Sequence, residues 1–341
     1  MTRRLLSTGS IAAAVLVVSM ASTSVSVRTQ AGEGASLPGT PTMSADEFDR
    51  MFEETKNWGR WGKDDTLGAV NLITDAKRKQ AAALVKSGIS VSVERTLSTV
   101  ETPDNPRPFK FTMGPTFRSD TWEVAYHGTY VTHIDALCHF EYKGMLYNGV
   151  PSSASNDKGC AIGIDNLKNG IVTRGVLIDI PRLKGVPYLE PPTTVLPADV
   201  EAWEKRAGVK VGPGDAVILH TGRWTRRAKL GPWKSLGNAA GFHPLMARWF
   251  HARDVSLVAG DGTAEAQTTP PLVQGVTPAI GSQPLHTVLI AGQGVPLIDD
   301  VDADALAATA ARLNRWEFML IVAPIAVPGG TGGPVNVIAI F

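Results

Sequence analysis

The chain has almost no net charge: 33 Lys and Arg against 32 Asp and Glu leave +1. That removes any electrostatic case for binding nucleic acid or an anionic membrane. It also has no phosphate-cradling P-loop, no dinucleotide glycine motif after a strand and no internal repeat, so nucleotide chemistry and repeat architectures are excluded. The apolar run near the N-terminus, residues 11–20, is too short to stay in a bilayer as a permanent helix. No cysteine stands directly after that run, which argues against a lipoprotein anchor. Only two cysteines occur, Cys138 and Cys160. An oxidising compartment would permit a bridge, but nothing in the sequence demands one, and Cys138 reads as a small buried filler or as a group behind a site.

What is present is a chain of 341 residues with 43% hydrophobic composition, enough to bury a sizeable core. Its first residues read as an address. A basic start with Arg3 and Arg4, the short apolar run and small residues after it form a signal peptide over 1–30. Thr-Arg-Arg-Leu-Leu is similar to a twin-arginine export signal, with a general secretory signal the equal alternative. Residues 31–43, rich in Ser, Gly, Thr and Pro, read as a flexible leader, and 44–341 as one catalytic domain. The expected product is periplasmic or extracellular, with no stable membrane span after processing.

The densest chemistry lies in the run from His127 to Phe140. Three of the seven histidines and an aspartate fall within it: His127, His133, Asp135 and His139. Such groups are poor core residues unless each finds a partner. His133 and Asp135 are two apart, so on a strand they share a face, and an imidazole and a carboxylate on one face can share a divalent ion at roughly 2.0–2.2 Å. His127 and His139 each lie six positions from His133; straight strand would carry them roughly 20 Å away, so a common site requires bends near Gly128 and in Ala136-Leu137-Cys138. Ordinary hydrogen bonding at a strand end is the competing account, and the clustering argues against it.

The segment Thr132-His133-Ile134-Asp135-Ala136-Leu137-Cys138-His139-Phe140 resembles the metal motif of the cyclase family, which includes bacterial kynurenine formamidase and isatin hydrolase. The usual pattern is H-x-G-T-H-x-D-x-P-x-H-F. Here Leu137 stands at the proline position, Val131 at the glycine and Thr129 at the first histidine, with His127 two residues earlier as the substitute. A bacterial branch carrying H-G-x-x-x-T-H-x-D-A-L-C-H is closer. The resemblance implies that His127, His133 and Asp135 hold the metal and that His139 shuttles a proton beside it. It implies an α/β chain of the swivelling β/β/α type, with mixed β-sheets and peripheral helices. It further implies His286 as a ligand and Asp299 at the position of a family glutamate, one methylene shorter. Relatives tend to be dimers or tetramers, so a homo-oligomer is expected.

Outside the motif, Ser44-Ala-Asp-Glu47 is a capping box ahead of Phe48, Met51 and Phe52 at helical spacing. Trp58 and Trp61 sit in a Gly-rich loop that either docks the N-terminus or contributes to a substrate pocket. The Pro-rich stretch 101–121, with Phe109, Phe111, Met113 and Phe117, is either an aromatic lid or a packed surface loop. Tyr147, in a turn, is expected near the pocket mouth, and Thr132 beside the metal. His220 reads as a satisfied core histidine. Asp261 and Glu265, just past a strand, orient ligands or cap their loop. His286 is expected to open a strand.

These residues fit an exported metal-dependent hydrolase. A bound ion lowers the pKa of its water toward about 7, and His139 relays a proton during cleavage of an amide, formamide, cyclic amide or lactone. Thr132 or Tyr147 would stabilise the oxyanion. The nitrogen and oxygen donors suit Zn2+ or Mn2+. The same centre would also serve a cyclase or dehydratase acting on a polyketide-like substrate, and a non-catalytic binder of a small ligand is the third reading. Trp58, Trp61, Phe111 and Tyr147 point to a planar or aromatic substrate.

Overall fold

The computed structural model describes residues 39–341. The expected signal peptide and most of the leader lie outside the described residues. The leader's last residues do not behave as a flexible tether: Met43 is buried and pairs with Val273, and the Pro41 carbonyl accepts from His243 Nε2 at 2.9 Å. Among the described residues no helix is long and apolar enough to cross a membrane.

The centre is a nine-stranded mixed sheet. Its strands are β1 Ser90–Ser92, β2 His133–Asp135, β3 Ile171–Asp179, β4 Ala216–His220, β5 Leu257–Gly260, β6 Leu297–Asp299, β7 Glu317–Val322, β8 Gly332–Pro334 and β9 Val337–Ile340. Their spatial order is β8-β2-β6-β5-β4-β3-β7-β9-β1. The four strands β3 to β6 run parallel, and the flanking pairs are antiparallel. Val217, Ile218, Leu219, Leu257 and Val258 in β4 and β5 are wholly buried, as expected of parallel strands covered on both faces by their crossovers. This is the α/β arrangement of mixed sheet and peripheral helices that the motif implied.

Helix α1, Ala45–Thr55, begins with the expected capping box, both halves of which are formed by Ser44 and Glu47. It buries Phe48, Met51 and Phe52, each contributing roughly 1.5–3 kcal/mol by removal from water. The run after His286 is not a strand. Pro284 starts a helical turn that widens into a π-type segment, Thr287–Gln293, buried on every side. A short, fully buried apolar run carries no periodicity that separates helix from strand, and Pro284 at the first helical position decides it. The strand follows later, as β6.

Trp58 and Trp61 dock the N-terminal segment. The Trp58 indole donates to the Ala291 carbonyl at 2.8 Å and meets Phe52 edge-on at 6.0 Å, and Trp61 carries the Arg60 guanidinium over its ring. Cys138 and Cys160, whose pairing the sequence permits without demanding, are joined as a disulfide with Cα atoms 6.1 Å apart.

His220 is held between two carboxylates, Nδ1 at 3.0 Å from Asp179 and Nε2 at 3.1 Å from Asp304. Burial opposes its charge, but the two acids outweigh that and push its pKa up to about 10. A folded pKa above the unfolded value of about 6.5 gives stability that is full below that value and lost as pH rises through 10. Chemical denaturation should therefore show stability declining between pH 6.5 and 10. His220→Gln should flatten that decline and cost on the order of 3 kcal/mol at pH 6.5; an unchanged pH slope in the variant would rule the pairing out.

Candidate metal centre

The cluster forms where the sheet changes direction. β6 is the last parallel strand, and β2 joins it antiparallel with Asp299 opposite His133. β8 then covers the other side of β2, with Gly332 opposite Asp135 and Pro334 opposite His133. Strand ends at such a reversal leave a crevice for ligands. On either side of β2 the chain bends. A run of bends over 127–131 brings His127 back, and a turn closed by the His139 amide on the Ala136 carbonyl, 3.0 Å, brings His139 back. Gly332 is required here: a Cβ on it would run into the Ile134 carbonyl and crowd the His127 ring.

The four side chains of the motif meet around the buried carboxylate of Asp135. His127 Nδ1 lies 3.2 Å from Asp135 Oδ1, His133 Nε2 3.6 Å and His139 Nε2 3.9 Å. His286 Nε2 stands 3.8 Å from the other oxygen of Asp135 and 3.1 Å from Asp299 Oδ2. Donors bonded at about 2.1 Å to one tetrahedral ion are roughly 3.4 Å from each other, so these spacings suit a shared ion. Two sets of three donor atoms, His127-Asp135-His139 and His133-Asp135-Asp299, each lie within 4.8 Å of one another.

Three imidazoles are pinned from outside. His133 Nδ1 is 2.7 Å from the Val131 carbonyl, which can only accept, so that nitrogen carries the proton and Nε2 offers a lone pair to the cluster. His286 Nδ1 is bonded to Glu265, leaving Nε2 inward. His127 Nε2 is 2.9 Å from Thr331 Oγ1, leaving Nδ1 inward. The inward atoms are short of partners: His127 Nδ1, Asp135 Oδ1 and Asp299 Oδ1 are buried without a hydrogen bond. Orphaned polar atoms converging on one point, with their imidazoles oriented from behind, are the chemistry of a metal site. The residues therefore fit a divalent ion.

The electrostatics follow from burial. Burial alone would favour neutral Asp135, yet the imidazoles of His139, His127, His133 and His286 hold its carboxyl well below the usual range. His286 is raised well above its ordinary value, because Asp299 and Glu265 outweigh the burial that opposes its charge. His139 goes the other way. Burial pushes it down to about 4; Asp135 opposes this, and the neighbouring histidines add to it. Its ring stacks on His127 at 3.8 Å with 7° between planes, a poor position for a second cation.

A cavity of about 370 Å³ opens over the cluster, with His127, Asp135, His139 and Asp299 reaching it. Pro103, Pro106, Tyr126, Tyr130 and Leu236 contribute apolar wall, and Arg107, Lys234 and Gln283 contribute polar edge. None of the five residues expected near the substrate lines this cavity. Thr132 is buried between the Arg95 amide and the Asp300 carbonyl, 2.7 and 2.8 Å away, with both roles of its hydroxyl used. Tyr147 is wholly buried, donating to Asp65 at 2.9 Å, because the turn at Asn148 faces the Trp58 loop and not the cavity. Trp58 and Trp61 are committed to docking, as described above. Phe111 sits on the exposed Lys110–Met113 and Asp120–Glu123 hairpin, no residue of which lines the cavity.

The two supporting acids divide. Glu265 accepts from the backbone amides of Leu285 and His286 as well as from the His286 ring, so it orients that histidine. Asp261 instead accepts from the Thr221, Gly222 and Arg223 amides and caps the start of the helix Arg223–Leu230, without touching the cluster. That helix delivers Arg223, which the sequence did not single out. Its guanidinium bonds to Asp300 and to the Thr129 carbonyl, tying down the bent 127–131 segment. Thr331 also escaped notice, since nothing in a Gly-rich turn marks one hydroxyl as facing a histidine some two hundred residues away.

The Cyclase family profile matches residues 67–265. Among solved structures, a novel cyclase is 30% identical with a TM-score of 0.73, covering 85% of this chain and 99% of its own. Isatin hydrolase A from Labrenzia aggregata bound to benzyl benzoate is 17% identical, with a TM-score of 0.51 and coverage of 76% and 94%. An isatin hydrolase bound to the product analogue thioisatinate gives 16%, 0.50, 76% and 94%. These two share the fold. No curated protein matches the sequence.

Adding Zn2+ or Mn2+ to chelator-treated protein should raise its melting temperature, by the equivalent of about 2.7 kcal/mol at a hundred times Kd. Asp135→Ala should abolish the rise, whereas Asp261→Asn should keep it. A rise that survives Asp135→Ala would place the ion elsewhere.

Proposed function

This chain belongs to the cyclase family, and from that premise we propose that it is a metal-dependent hydrolase opening an amide, formamide, cyclic amide or lactone bond. The observation that carries this is the set of three imidazoles pinned from outside whose other nitrogens face Asp135 at the floor of a cavity. His127, His133 and Asp135 would hold the ion, with His286 and Asp299 completing or extending the set. A divalent ion held there supplies acidified water and polarises a carbonyl. Nitrogen and oxygen donors suit Zn2+ and Mn2+ alike.

The chain's own part is orientation and proton movement. His139 is neutral at working pH and has its Nε2 turned to the cluster, so it can take a proton from attacking water and return it to the leaving nitrogen or oxygen. Glu265, Thr331 and the Val131 carbonyl fix which nitrogen each ligand offers. The apolar walls, with Tyr126 and Tyr130, suit a small planar substrate and keep bulk water away.

We further propose export through residues 1–30. A homo-oligomeric state is supported by the projecting hairpin, whose Phe111, Met113, Phe117 and Trp122 are exposed in a two-stranded element that is marginal alone. Light scattering of the wild type and of Trp122→Ser would check the second point.

A panel of aryl formamides, cyclic amides and lactones tests the reaction. Turnover on at least one, dependent on added ion, is expected; a panel untouched by fully loaded protein would overturn it. His139→Ala should keep the ion and lose about 10²–10⁴ in turnover. The acid limb of the wild-type pH profile should fall below pH 6.5, because burial keeps His139 unprotonated there.

A further inference from the structure

We propose that the Cys138–Cys160 disulfide is a redox-responsive clamp on the metal centre, acting through Thr331 as the residue that positions His127. This rests on the reading of the His127, His133 and Asp135 cluster as a metal site. Cys138 directly precedes His139, so the bridge fastens the motif's second bend to the loop containing Gly159 and Cys160. That loop is in turn knitted to the turn bearing Thr331. The Cys160 amide donates to the Gly329 carbonyl at 2.9 Å, and the Ile164 amide to the Gly330 carbonyl at 2.8 Å. Gly159 and Gly329 touch so closely that a Cβ on Gly159 would stand 2.9 Å from the Gly329 Cα.

Thr331 is the far end of this path. Its carbonyl accepts from the Ala136 amide at 2.9 Å, and its hydroxyl meets His127 Nε2 at 2.9 Å. One covalent bond thus closes a ring of contacts running from His139 through Cys138, Cys160, the Gly329–Thr331 turn and back to His127. His127 needs this more than the other ligands do. His133 is oriented by a carbonyl two residues away, and His286 by a buried carboxylate, whereas His127 is partly exposed and oriented by a loop hydroxyl.

The bridge is within reach of solvent. Both cysteines and His139 line a separate surface depression of about 560 Å³. A dithiol reductant entering there would attack one sulfur and then resolve to its own cyclic disulfide, delivering two electrons and leaving two protein thiols. The loop and the Thr331 turn would then be held by hydrogen bonds alone, and His127 would lose its fixed orientation.

The test is calorimetric titration of Zn2+ and, separately, Mn2+ into chelator-treated full-length protein. Oxidised protein, dithiol-reduced protein cleared of reductant under anaerobic conditions, Cys138→Ala/Cys160→Ala, Thr331→Val and Thr331→Ser would be compared, with circular dichroism confirming that each is folded. Oxidised protein and Thr331→Ser should bind alike; the reduced protein, the double variant and Thr331→Val should bind about 10–100-fold more weakly. Reoxidation should restore affinity in the wild type and leave the double variant unchanged. Equal or tighter binding by reduced protein and double variant would overturn the clamp. Should Thr331→Val bind as the wild type does, the path through Thr331 is wrong. If oxidised protein takes up neither ion, it is the metal reading itself that fails.

Discussion

A carboxylate buried among imidazoles organises this molecule. Asp135 is 2% exposed, and one of its oxygens has no hydrogen bond. Removing a charge from water costs several kcal/mol unless opposite charge and directed donors replace the solvent. Here the replacement comes from His127, His133, His139 and His286, drawn from one bent segment and from a turn far along the chain. His127, His133 and His286 are each held by a hydrogen bond from outside the cluster, so most of the arrangement is preset. A cation at the shared point would satisfy Asp135, Asp299 and His127 together, which no rearrangement of protein hydrogen bonds would achieve as directly.

The sheet explains how distant residues arrive there. β6 brings Asp299 to the end of the parallel set, and the antiparallel addition of β2 sets His133 opposite it. The helical turn Pro284–His286, ahead of the π-type segment, places His286 beside them, with Glu265 beyond β5 turning its ring. Asp300, one residue past Asp299, points away with positive φ and meets Arg223. Burial pushes Asp300 up to about 7 despite the arginine, so adjacent acids play different parts: one faces the cavity and the other anchors the scaffold.

Much of this was legible in the sequence, and the limits are physical. The spacing of His127, His133, Asp135 and His139 required bends at two places, and the chain bends at both. Capping chemistry located the helix Ala45–Thr55, and the strand read ahead of Asp261 is β5, because those signals are local. Side-chain direction was not legible. Thr132 looked available for catalysis because it adjoins a ligand, but alternation along the strand turns it toward Asp300. Tyr147 looked like a rim residue because turns are usually exposed, whereas this turn is covered by the Trp58 loop. The disulfide, Arg223 and Thr331 depend on pairing between segments tens to hundreds of residues apart, which composition and periodicity do not encode. His286 was found, but within a helical turn instead of a strand, since a wholly buried run has no polar face to reveal its period.

The account depends most directly on where a cation sits. Anomalous scattering from a crystal of the oxidised chain, collected on both sides of the Zn or Mn absorption edge after soaking with that ion, locates it without reference to activity. The account predicts a peak roughly 2.0–2.2 Å from His127 Nδ1, His133 Nε2 and an Asp135 oxygen, at the floor of the cavity. A peak confined to another group, such as His220 with Asp261 and Asp304, or no peak at all with the four motif side chains unmoved, would contradict it.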